Sequence, residues 1–297
     1  MEETFTAQGF VPAKLLPQNA FLFWYNLCFP PYRACKLNHL SLGGLGGYYL
    51  LDRITTAFAD RPSANNPIGL TDQAFFEKFN RDFAAISADD APLLKLALKI
   101  RYQVYCIENA FEPSAEHPGG FESDEFDRHS AHSLIINRAT GQPLGTVRLI
   151  LPRADHCYPS LPVYGLCDDA ALDCLPRYST AEVSRFSLSK QLRKRHAIED
   201  RSLSPMPRLG LIQALVRMSV YHQITHWCAV MEPSLLRVLA AMGIHFQPIG
   251  PPIEYHGLRQ PSFCCVAEML ARARGERPAF WDVITDGGLL YDRLLPR

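Results

Sequence analysis

Charge of either sign in excess is missing from this chain: 30 lysines and arginines face 30 aspartates and glutamates over 297 residues. No global field gathers nucleic acid or an anionic membrane, so a charged partner has to be met by a local patch. Cys-x-x-Cys spacing is missing too, although nine cysteines occur, at 28, 35, 106, 157, 167, 174, 228, 264 and 265. An odd number at low density without paired spacing argues against a disulfide scaffold and for a reducing compartment, the cytoplasm. His156-Cys157, Cys167 and Cys174 are spread too widely for a structural zinc site, whose ligand pairs sit about two to four residues apart. No metal is assigned. Long hydrophobic runs are also absent, since Phe21–Phe29 falls short of the roughly 18–20 apolar residues that cross a bilayer. The Met-Glu-Glu start lacks the basic run of a secretory signal. The chain is read as soluble, with no transmembrane segment.

What is present is an ordinary globular composition, 47% hydrophobic and 20% charged, with room for one large or two small domains. Residues 1–70 scatter aromatics among Pro30-Pro31, the Gly43–Gly47 cluster and a proline-rich stretch ending at Pro67, with no sustained helical or strand period. They read as an appendage. Packing on the domain, contact with a membrane surface and an overlong start all remain open for it.

From residue 71 to 297 the pattern sharpens into one domain. Thr71-Asp72 caps a short helix running to Phe83, and Asp89-Asp90 with Pro92 opens a longer one. Its stripe is Leu93, Leu96, Ala97, Ile100, Val104 and Ile107, with Arg101 and Tyr105 at the edge. A loop, Glu112–Gly120, delivers the acidic Glu122-Ser-Asp-Glu-Phe-Asp127. Residues 130–137 and 144–151 read as a hairpin around Thr140-Gly141. Residues 153–179 form an insertion that either walls a pocket or is a surface excursion. A strand at 180–188, a basic loop at 190–196, a helix at 211–226, a strand at 227–231 and a proline-started helix at 232–243 follow. Segments at 245–249 and 262–270 complete a β-rich end. Strands and helices thus alternate as in an α/β domain with a mixed central sheet and flanking helices.

The strand Thr180–Leu188 carries Glu182 and Arg185 in an otherwise apolar run. A buried carboxylate or guanidinium needs an opposite charge nearby, because deleting one partner costs about 3–5 kcal/mol. Arg101, Asp124, Asp127 and Arg148 are the available partners. Residues three apart on a regular strand point to opposite faces. A β-bulge between Glu182 and Arg185 would bring both into one cleft and leave backbone N–H groups unpaired there.

Four ordered motifs carry a resemblance: Arg101-Tyr-Gln-Val-Tyr105, Asp124-Glu-Phe-Asp127, Gly145-Thr-Val-Arg-Leu149 and Glu182-Val-Ser-Arg-Phe186. Together they resemble acyl-homoserine-lactone (autoinducer) synthases and related N-acyl amino acid synthases. The segments Glu112–Pro118, Glu125–Ser130 and Pro252–Pro261 are similar to the acyltransferases associated with the PEP-CTERM/exosortase system. The resemblance covers residues 75 to 270. It implies the GNAT-type acyltransferase fold, a splayed sheet admitting a pantetheine-linked acyl chain, and transfer of a fatty acyl group to an amine.

Under that resemblance Glu182 and Arg185 are the catalytic residues. Arg101, Asp124, Asp127, Arg148, Ser184 and Phe186 bind the substrates, and no cofactor is bound permanently. The donor is an acyl-phosphopantetheine thioester. No Gln/Arg-x-x-Gly-x-Gly/Ala loop precedes the helix at 211, the device by which coenzyme-A-dependent relatives hold a pyrophosphate. Acyl carrier protein, with acyl-CoA as the other donor, is therefore the expected partner, docking on Arg193, Lys194 and Arg195. The acceptor is an amino acid or similar small amine. A lactone-forming synthase using S-adenosylmethionine and a non-catalytic acyl-binding module of the exosortase system are the alternatives.

Overall fold

The computed structural model describes residues 71–153, 161–167, 175–195, 205–255 and 257–295. The appendage expected at 1–70 lies outside the described residues, as do His156, Cys157, Cys174 and His196. Among the described residues eight strands are formed: β1 (Phe83–Ser87), β2 (Ser130–Asn137), β3 (Pro143–Ile150), β4 (Thr180–Leu188), β5 (His226–Met231), β6 (Gln247–Pro248), β7 (Ile253–Glu254) and β8 (Leu258–Cys265). Their order is β1-β2-β3-β4-β5-β8-β6, with β7 paired to β8. Every pairing is antiparallel except that of β4 with β5. The sheet is therefore mixed, as the alternation of elements implied.

Side chains alternate across the sheet, so each face acquires its own cover. Val147, Leu149, Ala181, Val183, Trp227 and Ala229 point into the large core. That core is closed by α1 (Asp72–Asp82), α4 (Met206–His222), α6 (Val266–Glu276), α7 (Pro278–Thr285) and α8 (Leu289–Leu294). Helix α4 is buried along Met206, Leu209, Leu211, Ile212, Leu215, Val216 and Met218, apolar on nearly every side. Such a helix has to be covered all round, and α7 and α8 lie on its outer side. The opposite face of the sheet carries α2 (Ala91–Tyr102), packed on β2, β3 and β4. Thr71 caps α1 by accepting from Ala74 N at 3.2 Å, and Asp90 caps α2 by accepting from Leu93 N at 2.7 Å.

Four local readings differ from the sequence expectation. The helix expected to run through Ile107 stops as an α-helix at Tyr102 and continues as a π-helical turn, Gln103–Glu108. The basic segment is helical, forming α3 (Lys190–Arg195), because the Glu108 carboxylate accepts from Lys190 N and Gln191 N at its start. The helix expected at 211–226 starts earlier, at Met206, and stops at His222. The strand expected to reach Leu270 ends at Cys265, since Val266, Met269, Leu270 and Ala273 are buried at helical spacing in α6. The chain end is thus helical. The proline-started helix is α5 (Pro233–Ala241), as expected.

Two irregularities meet in β4. Arg148 faces Ser184 and Thr146 faces Ser187, so Arg185 and Phe186 together oppose Val147 in a bulge. Arg185 has φ 49°, and Ser187 Oγ donates to its carbonyl at 3.0 Å. On the other edge, pairing with β5 runs Thr180↔His226, Ala181↔Trp227 and Glu182↔Cys228 and then stops. The sheet opens from Val183 onward.

Gly145 lies opposite Leu188 beside the bulge, and a Cβ there would overlap the Ser187 carbonyl oxygen. A backbone oxygen cannot swing aside as a side chain can. Gly145→Ala is expected to destabilise the protein by about 1–3 kcal/mol, read as a lower urea midpoint at unchanged slope. An unchanged midpoint would show that the bulge relaxes freely.

Candidate active site

Three elements converge on the α2 side of the sheet. Arg101, at the end of α2, is fully buried, and all three of its guanidinium nitrogens are engaged. Nε donates to Glu122 Oε2 at 2.5 Å, Nη2 to Glu122 Oε1 at 3.0 Å and Nη1 to Asp127 Oδ1 at 2.6 Å. Arg148 on β3 donates through Nη1 to Asp124 at 2.5 Å and Asp127 at 2.7 Å, and through Nε to Ser184 Oγ at 2.9 Å. The Asp-x-x-Asp spacing closes a capping box on the 3₁₀ turn Glu125–His129. Asp124 accepts from Phe126 N, and Asp127 Oδ2 accepts from Asp124 N at 2.8 Å, which leaves Oδ1 of Asp127 to both arginines.

The bulge brings Arg185 to the same cluster. Its Nε and Nη2 donate to Glu122, and Nη2 also reaches Asp124 at 3.2 Å and Glu112 at 3.4 Å. Its guanidinium stands 4.8 Å from the centroid of Tyr105, a ring presented by the π-helical turn. Burial alone would raise the carboxyl of Glu122, yet Arg101 and Arg185 outweigh it and hold Glu122 at about 2. Asp127 is likewise depressed, burial being overcome by Arg101 and then Arg148. His132 on β2 lies beside them, with Nε2 3.6 Å from Asp127 Oδ1. Burial, with Arg101 and Arg148 adding to it, outweighs the opposing pull of Asp127 and lowers its pKa to about 4, and among the described residues neither ring nitrogen meets a well-formed hydrogen bond.

Glu182 shares this face but not the pairing. It is 4% exposed, and Oε2 accepts from Val163 N at 2.8 Å, from the segment Pro162–Gly165. Among the described residues no cation lies within ion-pair distance of it. Around it sit Ile150, Leu161, Val163, Leu175 and Cys228, an apolar cluster separate from the main core. Burial pushes its carboxyl up to about 7, offset in part by the Val163 N–H and the more distant Arg148 and Arg185. Among the described residues the expected partner is not found, and a raised affinity for a proton takes its place.

Residues 100–201 match a family model described as an acetyltransferase (GNAT) domain. The mixed sheet and flanking helices are those of the GNAT-type acyltransferase fold. The matched stretch includes every residue of the cluster and Glu182. No curated protein matches the chain significantly. Among solved structures, an N-acyl amino acid synthase from uncultured soil microbes is similar at 17% identity, covering 64% of this chain and 94% of its own, with TM-score 0.44. A CoA-dependent acyl-homoserine lactone synthase, BjaI, with S-adenosylmethionine and isopentyl-CoA, is 20% identical over 69% of this chain and 88% of that one, at 0.45. A second CoA-dependent acyl-homoserine lactone synthase, MesI, is 18% identical over 67% and 94%, at 0.46. At such identities and scores these likenesses fix neither donor nor acceptor.

Within the transferase domain, Arg101, Asp124, Asp127, Arg148, Ser184 and Arg185 form one hydrogen-bonded cluster. Phe186 does not join it, because the second bulge residue packs against the main core. Arg193 is half-buried on α3, its Nε without a partner, and close enough to Arg208 to lower that residue's pKa after burial. The side chains of Lys194 and Arg195 lie outside the described residues. Glu122 was not among the expected site residues; it opens the acidic stretch Glu122–Asp127, and its burial against Arg101 and Arg185 makes it part of the cluster. Among the described residues no group of three His, Cys, Asp or Glu side chains is disposed to hold a metal ion. Cys167 and Cys228, beside Glu182, are free thiols whose pKa burial raises.

The two glutamates have opposite linkage to folding. Glu122, with a depressed pKa, contributes stability present above its unfolded value of 4.5 and lost as pH falls through about 2. Glu182, with a raised pKa, binds its proton more tightly when folded, so its favourable contribution is full below 4.5 and lost as pH rises through about 7. Glu122→Gln should therefore destabilise by about 3–5 kcal/mol at neutral pH. Glu182→Gln should gain on wild type by up to about 3 kcal/mol between pH 5 and 8. Thermal melts across that range check both, and a pH-independent difference for Glu182→Gln would refute the raised pKa.

Proposed function

We propose that this protein is a cytoplasmic N-acyltransferase that moves a fatty acyl chain from acyl carrier protein to the amine of an amino acid or similar acceptor. The observation that supports the reading best is Glu182: a buried carboxyl with a pKa near neutrality, on the face of the charge cluster, at the point where β4 and β5 part. A thioester is already activated, so an amine attacks it without a covalent enzyme intermediate. What the protein supplies is orientation, deprotonation of the ammonium and hydrogen-bond donors to the carbonyl oxygen.

In this reading Glu182 takes the acceptor's proton, directly or through one water. The free amine then forms the new C–N bond, the C–S bond breaks, and the pantetheine thiol leaves carrying a proton. Backbone N–H groups of β4 beyond its last partner on β5 are the oxyanion donors. The charge network of Arg101, Asp124, Asp127, Arg148 and Arg185 shapes the cleft and positions a zwitterionic acceptor. Arg193, Lys194 and Arg195 meet the acidic carrier protein. The similarity of Glu112–Pro118 and Pro252–Pro261 to exosortase-associated acyltransferases supports a role in that system.

The test is incubation of purified protein with long-chain acyl carrier protein and pooled amines, S-adenosylmethionine included, followed by mass spectrometry. An N-acylated amine is the expected product. A lactone would favour the S-adenosylmethionine-dependent reading, and no product across donors the binding module. Glu182→Gln should lower turnover by about 10²- to 10⁴-fold near neutrality, with the deficit shrinking at alkaline pH where the amine is already deprotonated. A deficit constant with pH would remove Glu182 as the base.

A further inference from the structure

At the open end of the cleft stands an arginine with donors to spare. Beyond Glu182 and Cys228 the sheet divides, β1 to β4 on one side and β5 with β8 on the other. Trp227, Ala229 and Met231 of β5 belong to the main core, whereas Cys228, Val230 and Phe263 of β8 join the apolar cluster around Glu182. By alternation along β8, Arg259 shares the face of Phe263 and Glu182. Phe263 is level with Glu182 through Cys228, and Arg259 lies four residues further along, about 13 Å toward the open end.

This guanidinium is held without being saturated. Nη1 donates to Glu232 Oε1 at 3.1 Å and to Leu258 O at 3.3 Å, and the group stands 5.6 Å from the centroid of Phe111. Phe111 follows the π-helical turn that presents Tyr105 to Arg185 of β4, so Arg259 reaches across the opening. A guanidinium carries five N–H donors, and among the described residues those on Nε and Nη2 meet no acceptor, although the side chain is 13% exposed. Both nitrogens stay open to solvent. Lys190, just past β4, donates Nζ to Asn109 Oδ1 at 3.2 Å, two residues before Phe111. Arg259 and Lys190 against Glu232 leave this mouth one positive charge in surplus.

The donor carries an anion at the matching distance. Between thioester sulfur and phosphate, a pantetheine arm has the bonds of about four residues of extended chain, which span about 14 Å. With the thioester at Glu182 and the arm lying along the opening between β4 and β5, the phosphate falls at the level of Arg259. The chain also lacks the Gln/Arg-x-x-Gly-x-Gly/Ala loop that would otherwise receive such a group.

We propose that Arg259, through Nε and Nη2, binds the phosphate of the donor's phosphopantetheine arm, with Lys190 as the second cation beside it. This rests on the thioester-donor reading and names the residue that anchors the arm. Arginine suits the task, since its planar edge gives paired N–H bonds to a phosphate. Acyl carrier protein and coenzyme A share this phosphate.

Calorimetric titration of the full-length protein with 4′-phosphopantetheine and with pantetheine, which lacks the phosphate, tests the site without acyl transfer. The phosphorylated arm should bind about tenfold tighter. Arg259→Gln should erase that difference, and Arg259→Lys should restore part of it. Equal affinity for the two arms, no binding of either, or a phosphate preference that survives Arg259→Gln would overturn the site. In turnover with acyl carrier protein, Arg259→Gln should raise the KM for the donor and leave that for the amine unchanged. A rise confined to the amine would overturn the proposal by giving Arg259 to the acceptor's carboxylate. A phosphate preference that depends on Arg259, without acylation of any amine, would sink the transferase reading while the site stands.

Discussion

The bulge at Arg185 is the constraint on which the rest of the site depends. On a regular β4, Glu182 and Arg185 would face opposite sides of the sheet, and Arg185 would lie against the apolar core closed by α4. With Arg185 at φ 49°, the extra residue turns its guanidinium to the α2 side, where Glu122 takes it, and sends Phe186 to the core instead. A non-glycine residue in left-handed backbone costs about 1–3 kcal/mol. Contacts with Glu122, Asp124 and Tyr105 offset it.

The same distortion separates two carboxylate environments. On one side, Glu122 and Asp127 are ionised and locked by arginines. On the other, Glu182 sits among apolar side chains and accepts from the Val163 N–H. Pairs of carboxyls whose environments push their pKa values apart are how one site separates a structural charge from a group that exchanges protons near neutrality. Here burial does the pushing at Glu182, and two guanidiniums resist it at Glu122. The stretch that matches the acetyltransferase (GNAT) family model spans both.

Much of this was legible in the chain. Alternating apolar runs and capping residues marked β2, β3, β5, α1, α2 and α5, and the charges in an apolar strand marked β4. The ordered motifs singled out six residues that hydrogen-bond in one cluster. What escaped had physical reasons. The π-helical turn, with i→i+5 bonds, breaks the 3.6-residue period after Tyr102 and leaves Ile107, expected on the stripe, exposed; one displaced apolar residue is too short a signal to read from sequence. The junction of β8 and α6 falls inside one apolar run, Cys264 to Met269, where only the buried spacing beyond it separates strand from helix. Glu122 escaped because the expected carboxylates, Asp124, Asp127 and Glu182, already matched the three guanidiniums in number; Glu182 takes the Val163 N–H instead, and Arg101 and Arg185 meet on Glu122. Glu182 went the other way: pairing was expected on energetic grounds, yet a carboxyl can also lower the cost of burial by keeping its proton.

The central claim is that Glu182, alone among these carboxyls, holds its proton near neutrality. Carbon-13 NMR of protein labelled at the glutamate side-chain carboxyls, titrated with pH, reads it directly, with Glu182→Gln assigning the resonance. A carboxyl titrating at about 7 and lost in the variant is the predicted result. A Glu182 resonance that titrates with ordinary glutamates, at about 4.3, would contradict it.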